Sequence, residues 1–148
     1  MPRIILIAAF IVAGMIGCHG TNVTADELPG TWVMTDASQQ NLPAALQKAS
    51  ARIVLDTNGT FTAFDMALDG LLPGDFRRVQ LATGSGVWKL VSRENRSEIQ
   101  LDFHLLMDNR EQTPFGTQLY ISKFWTPARL FYFLGDPDQG QRVEFEKR

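Results

Sequence analysis

Few side chains in this sequence are of types that do chemistry and stand where chemistry would show. Cys18, in "GMIGCHG", is the sole cysteine among 148 residues, so it has no internal disulfide partner, and a thiol attacks or ligates only as the thiolate. The two histidines are His19, beside it, and His104 in "EIQLDFHLL". A histidine works as a general base when a nucleophile or carboxylate is set against it, and neither context supplies that pairing. Asp136 and Asp138, in "DPDQG", offer alternate carboxylates of the kind that open a calcium loop. Such a loop needs another oxygen ligand at the next alternate position and a glutamate at the twelfth, where this chain has Gly140 and Lys147. Asp136 and Asp138 therefore remain a weak metal candidate in what reads as a turn. No phosphate-cradling glycine loop, HExxH or CxxC occurs. Catalysis, a cofactor and a resident metal are not expected.

The position of Cys18 is more telling than its reactivity. Between Ile4 and Ile16 runs "IILIAAFIVAGMI", with no polar side chain. A membrane-spanning helix needs roughly 20 apolar residues, so this shorter run suits the core of a secretory signal. The "MIGC" at its end resembles the bacterial lipobox, in which a diacylglycerol is attached through a thioether to the cysteine before cleavage on its N-terminal side. That resemblance implies lipidation of Cys18, with residues 1–17 as signal peptide and the polar, aperiodic residues 18–27 as a tether. One acyl chain holds a protein only reversibly, whereas two or three anchor it firmly. The expected location is a bacterial cell envelope, on the periplasmic or extracellular face of a membrane. His19 stands where an aspartate would resemble an inner-membrane retention signal, which favours the outer membrane in a Gram-negative cell.

Composition excludes other classes. The chain is 45% hydrophobic and 10% aromatic, enough for the core of one domain. With 14 basic and 16 acidic residues, its formal charge is -2, and no basic stripe or run of like charge appears. Nucleic acid is not expected as a partner. A monomer is expected.

The elements that would position any site are strands. From Leu28 onward the dominant period is two. Residues 98–106 alternate Ile99, Leu101, Phe103 and Leu105 with Glu98, Gln100, Asp102 and His104, which predicts one face on a core and the other in water. Residues 52–57 and 60–66 flank Asn58-Gly59, a strong hairpin signal. Further strands are predicted at 28–36, 86–93, 116–125, 129–135 and 142–148, about eight in all. Residues 67–85 are rich in glycine and proline, and their "FRRVQLA" reads as either a strand or a covering loop. One short helix is predicted over 41–50, between the first two strands, with Asn41 as N-cap and Pro43 in the first turn. Short strands with hairpin-length connections predict a mainly β fold, a single antiparallel up-and-down barrel spanning residues 28–148.

"LPGTW" at 28–32 resembles the opening glycine-x-tryptophan of lipocalin-like families, with Gly30 and Trp32 on the first strand. With "DTNGTFTA", "GSGVW" and "VEFEK", the wider pattern resembles small lipocalin-like bacterial lipoproteins. The resemblance implies a tryptophan packed across one end of an eight-stranded barrel and a late arginine stacked on it, for which Arg142 and Arg148 are the candidates.

Two functions follow as expectations. The first is non-catalytic binding of a small apolar or amphipathic ligand inside the barrel, with Phe103, Leu105, Phe131 and Phe133 as lining or core residues. An eight-stranded barrel stands at the size where the interior either fills with side chains or holds one small molecule. The second is an envelope protein-binding module, an inhibitor, immunity factor or assembly accessory, built on a filled barrel. Its candidate partner loop is "LDGLLPGD", where Leu68, Leu71 and Leu72 stand among turn residues instead of on a strand.

Overall fold

The computed structural model describes residues 23–67, 81–93, 96–107, 110–111, 114–122 and 127–148. Nine strands run in chain order: β1 (Gly30–Met34), β2 (Arg52–Leu55), β3 (Thr60–Ala67), β4 (Leu81–Arg93), β5 (Arg96–Met107), β6 (Arg110–Glu111), β7 (Phe115–Ser122), β8 (Arg129–Phe133) and β9 (Arg142–Lys147). Strands β1 to β5 pair antiparallel in chain order, and the ring continues antiparallel from β5 to β7, β7 to β8 and β8 to β9. The ring closes where β9 returns to β1, with Phe145 opposite Met34. The two-residue β6 pairs only with the end of β5, so eight strands form the barrel. Closure pairs each barrel strand with a neighbour on both sides, and β4 runs on beyond the end of β3 to Arg93, paired there with β5 alone.

Alternation decides what faces inward. Ile53 and Leu55, Phe61 and Ala63, Ile99, Leu101 and Phe103, Leu130 and Tyr132, and Val143 and Phe145 are all buried and share the interior. Strict alternation along β3 would also turn Asp65 inward. A bulge between Ala63 and Met66 prevents that: two β3 residues oppose the single Thr83, Asp65 takes a left-handed φ of 51°, and Met66 takes the interior position. Aspartate tolerates that conformation better than a β-branched residue would.

Strand β4 begins at Leu81, five residues before the predicted start, because "GSG" does not end it. A Cβ on Gly84 would lie 2.4 Å from the Phe103 ring, and one on Gly86 would lie 1.8 Å from the Asp102 carbonyl oxygen. The two glycines are where β4 passes closest to β5 and its inward ring.

The short helix between the first two strands lies earlier than predicted. It is α1, Asp36–Asn41, with Thr35 as N-cap accepting a hydrogen bond from the Ser38 amide. Pro43 biases Leu42 to extended backbone (φ -70°, ψ 151°), so the helix stops there, and residues Ala44–Leu46 form only a 3-10 turn. No helix among the described residues is long and apolar enough to cross a membrane.

Candidate functional site

The interior is occupied by large side chains. Phe61 meets Phe103 edge-on at 5.1 Å between ring centroids, Phe103 stacks on Phe115 at 5.5 Å, and Tyr132 lies 6.0 Å from Phe145. Phe61, Phe103, Tyr132 and Phe145 are each at most 1% exposed. The side-chain polar atom buried among them is the Tyr132 hydroxyl, which meets no partner in full hydrogen-bonding geometry among the described residues. Burial pushes its pKa far above the ordinary tyrosine value, opposed only by the Ala67 backbone amide nearby.

Trp32 is 2% exposed, and its indole N–H donates to the Leu28 carbonyl at 2.8 Å, folding the preceding segment back onto the core. The cation over its ring is not an arginine. Lys147 Nζ lies 5.8 Å from the ring and donates to the Glu27 carbonyl at 2.7 Å. Gly30 has φ +137°, and a Cβ there would come within 2.7 Å of Lys147 Cε, so the lysine stem crosses where only glycine leaves room. Arg142 lies instead over Phe131 at 5.1 Å, and Arg148 approaches Glu146 at 3.8 Å.

The outer wall over β5, β7, β8 and β9 carries a row of acidic and aromatic side chains. Glu98, Tyr120, Phe131 and Glu144 stand opposite one another on successive strands. Tyr120, Phe131 and Phe133 form a half-buried triad with centroid separations of 5.3 to 5.6 Å, each pair stacked or edge-on. Gln118 Nε2 donates to the Tyr120 hydroxyl. Phe131 and Phe133 thus lie outside the barrel, a correction to their expected place in its lining. Leu130 and Tyr132 take the inward positions of β8, and an odd-numbered pair on the same strand must point the other way.

Glu98 is the second correction, because the alternation placed it in water. It is fully buried, with Tyr120 and Val91 opposite it on the flanking strands. Arg93 lies 3.3 Å from one carboxylate oxygen and Arg96 3.5 Å from the other. Among the described residues neither oxygen has a hydrogen-bond partner, and the two arginines supply its ion pairs. Arg96 also reaches over the Tyr120 ring at 6.0 Å. At the other end of the row, Glu144 binds Arg129 at 2.9 Å and Arg142 at 2.6 Å. Its backbone fixes α1 to the wall: the Glu144 amide donates to Ser38 Oγ at 2.8 Å, and the Thr35 amide donates to the Glu144 carbonyl at 2.9 Å.

Between α1 and the β8–β9 turn lies a cleft of about 470 Å³. Buried Leu42, Leu134 and Val143 form its floor, while Asn41, Gln139, Gln141 and Arg142 project around it. The turn is held by Asp136, whose carboxylate accepts from the Asp138 amide at 3.0 Å, and by Gly140 at φ 69°. Asp136 therefore acts as the cap of a 3-10 turn, and among the described residues no group of three potential ligands for a metal ion comes together.

Of the other residues singled out in the sequence, Phe103 is at the centre of the core and His104 is exposed on β5 opposite Ser85. Leu105 pairs through its backbone with Gly84, but its side chain lies outside the described residues, as do Cys18, His19, Leu68, Leu71 and Leu72. Sequence reasoning missed the outer aromatic triad, the buried Glu98 and the cleft. The available signal was the run "RLFYFLG", whose unbroken apolar character requires aromatic rings on both faces of one strand. Comparison with protein-family models, with curated proteins and with solved structures finds no match.

Proposed function

We propose that this chain is an envelope lipoprotein, anchored through Cys18, whose barrel is a filled scaffold that binds an envelope partner non-catalytically through its outer face. The observation that carries the reading is the interior: Phe61 against Phe103, and Tyr132 against Phe145, occupy volume a carried ligand would need. The polar outer wall fits an aqueous setting. Lys89, Asp102 and Arg142 are exposed there, where a barrel spanning a membrane would show an apolar band. The lipobox-like "MIGC" supplies the anchor.

A second reading, carriage of a small amphipathic ligand, is favoured by the Tyr132 hydroxyl. A buried donor without a partner is unfavourable by about 1–3 kcal/mol, which a ligand oxygen in the barrel would offset. Native mass spectrometry of the full chain, extracted in detergent from its host, separates the two. An empty barrel supports the filled scaffold, and a co-purifying lipid-sized mass overturns it. Cell fractionation of Cys18→Ala tests the anchor: release from the membrane supports it, and unchanged membrane association refutes it.

A further inference from the structure

The cleft and the aromatic triad are one continuous surface, joined by Arg142. Arg142 lines the cleft, its guanidinium pairs with Glu144 and lies over the Phe131 ring, and its backbone stands opposite Phe133. We propose that this surface is a saccharide-binding site, and the proposal rests on the reading that the chain binds through its outer face.

Three observations select the ligand class. The first is the donor and acceptor balance of the rim. Asn41, Gln139 and Gln141 each bring a carboxamide that both donates and accepts, Arg142 adds donors and Glu144 adds an acceptor. A polyol, every hydroxyl of which donates and accepts, matches such a set. An anionic ligand would want a larger surplus of cations than two arginines sharing one carboxylate. The second is the apolar element. Sugar rings present faces of C–H bonds carrying partial positive charge, and these rest favourably on the negative face of an aromatic ring. Phe133 offers a half-exposed ring next to Phe131, over whose face the guanidinium lies. The third concerns peptides, which commonly bind by extending a sheet edge. The strands that border this surface, β8 and β9, are each hydrogen-bonded to a strand on both sides, so neither offers such an edge.

The geometry is built in advance. Arg142 is held by the short contact to Glu144 and by the Phe131 ring, and Glu144 is tied through Ser38 and Thr35 to α1, which forms the opposite wall. α1 and β9 are therefore fixed relative to each other by these hydrogen bonds. The volume of about 470 Å³ lies within the range of roughly 300–1,000 Å³ usual for small-ligand sites. It accommodates one ring in the cleft, with the next lying along the aromatic triad.

The test is isothermal titration calorimetry of the full chain in detergent micelles with chitotetraose and with cellotetraose, up to about 10 mM to cover millimolar sites. A short polyglutamate peptide serves as a comparison. Saturable binding of either tetrasaccharide is expected. Asn41→Ala and Gln141→Ala, both exposed positions, should each weaken it about fivefold, the worth of one neutral hydrogen bond, with an unchanged melting temperature. Phe133→Ala should weaken it about tenfold. The proposal is overturned if neither sugar binds, if only the peptide binds, or if the Asn41→Ala/Gln141→Ala double variant binds as well as the parent. Native mass spectra of the same preparation keep the two failures apart. A lipid-sized mass in the barrel sinks the outer-face reading, whereas an empty barrel that ignores sugars sinks only this inference.

Discussion

Replacing Phe103 by alanine tests whether the barrel is filled. Phe103 is fully buried, edge-on to Phe61 at 5.1 Å and stacked with Phe115 at 5.5 Å, with Gly84 directly under its ring. Removing a buried phenylalanine side chain costs about 3–5 kcal/mol, the lost transfer energy plus a cavity term that grows where the surroundings cannot collapse. Collapse is difficult here, since β4 and β5 are joined by eleven registered pairs and close a hydrogen-bonded ring. The expected loss is therefore in the upper half, about 4–5 kcal/mol. A domain of this size has about 5–15 kcal/mol in total, so the variant should remain folded at low temperature with a sharply reduced urea midpoint. The cavity supplies a second readout: benzene should raise the melting temperature of Phe103→Ala and leave the parent unchanged, because only the variant has a dry void for it. A loss below about 1.5 kcal/mol, or stabilisation of the parent itself by benzene, would mean that the interior already holds free space. The filled-scaffold argument would then fail.

Further outcomes follow from the same geometry. Tyr132→Phe removes a buried hydroxyl with no partner and should raise stability by about 1 kcal/mol; a fall of that size would reveal a hydrogen bond to that oxygen. Because burial raises the Tyr132 pKa, the folded state keeps a proton that the unfolded chain releases above the ordinary value of 10.0. Stability is thus full below pH 10 and falls as pH rises beyond it, by up to about 1.4 kcal/mol per pH unit from this group, and urea titrations in alkali should show a shallower fall in Tyr132→Phe. Glu98→Met, which swaps a buried carboxylate for an apolar side chain of similar length, should be neutral or stabilising. The Arg93→Ala/Arg96→Ala double variant should lose about 2–3 kcal/mol in chemical denaturation by stranding the charge, and equal losses from both would contradict ion pairing as its support. Thr35→Ala removes the N-cap of α1 and should lower stability by about 1 kcal/mol in the same measurement, with no change in the β-sheet circular dichroism signal.

Period-two patterning is a local property, and it was enough to announce a mainly β chain, the inward set Ile99, Leu101 and Phe103, and a meander closed into a barrel. The turn at Asn58-Gly59 was legible for the same reason: Gly59 has φ 84° and the Asn58 carboxamide accepts from the Thr60 amide at 2.9 Å, features that neighbouring residues create among themselves. Where reading failed, the deciding contact came from far along the chain. The bounds of α1 are set by local signals, Thr35 as N-cap and Pro43 as the stop, whereas the full burial of Glu98 depends on Tyr120 across a strand pairing and on two arginines folded back over it. Phe131 and Phe133 sit in a run where Leu130, Phe131, Tyr132 and Phe133 are all apolar, so pattern alone assigns no face. The pairing of Leu130 with Phe145 settles it by placing Leu130 and Tyr132 within the ring. The cleft joins residues around Asn41 to residues around Arg142, about a hundred positions apart, through the Ser38–Glu144 hydrogen bond. Side-chain alternation follows from the geometry of one strand; which outward groups become neighbours follows only from ring closure, because it brings β9 and the helix after β1 to the same wall.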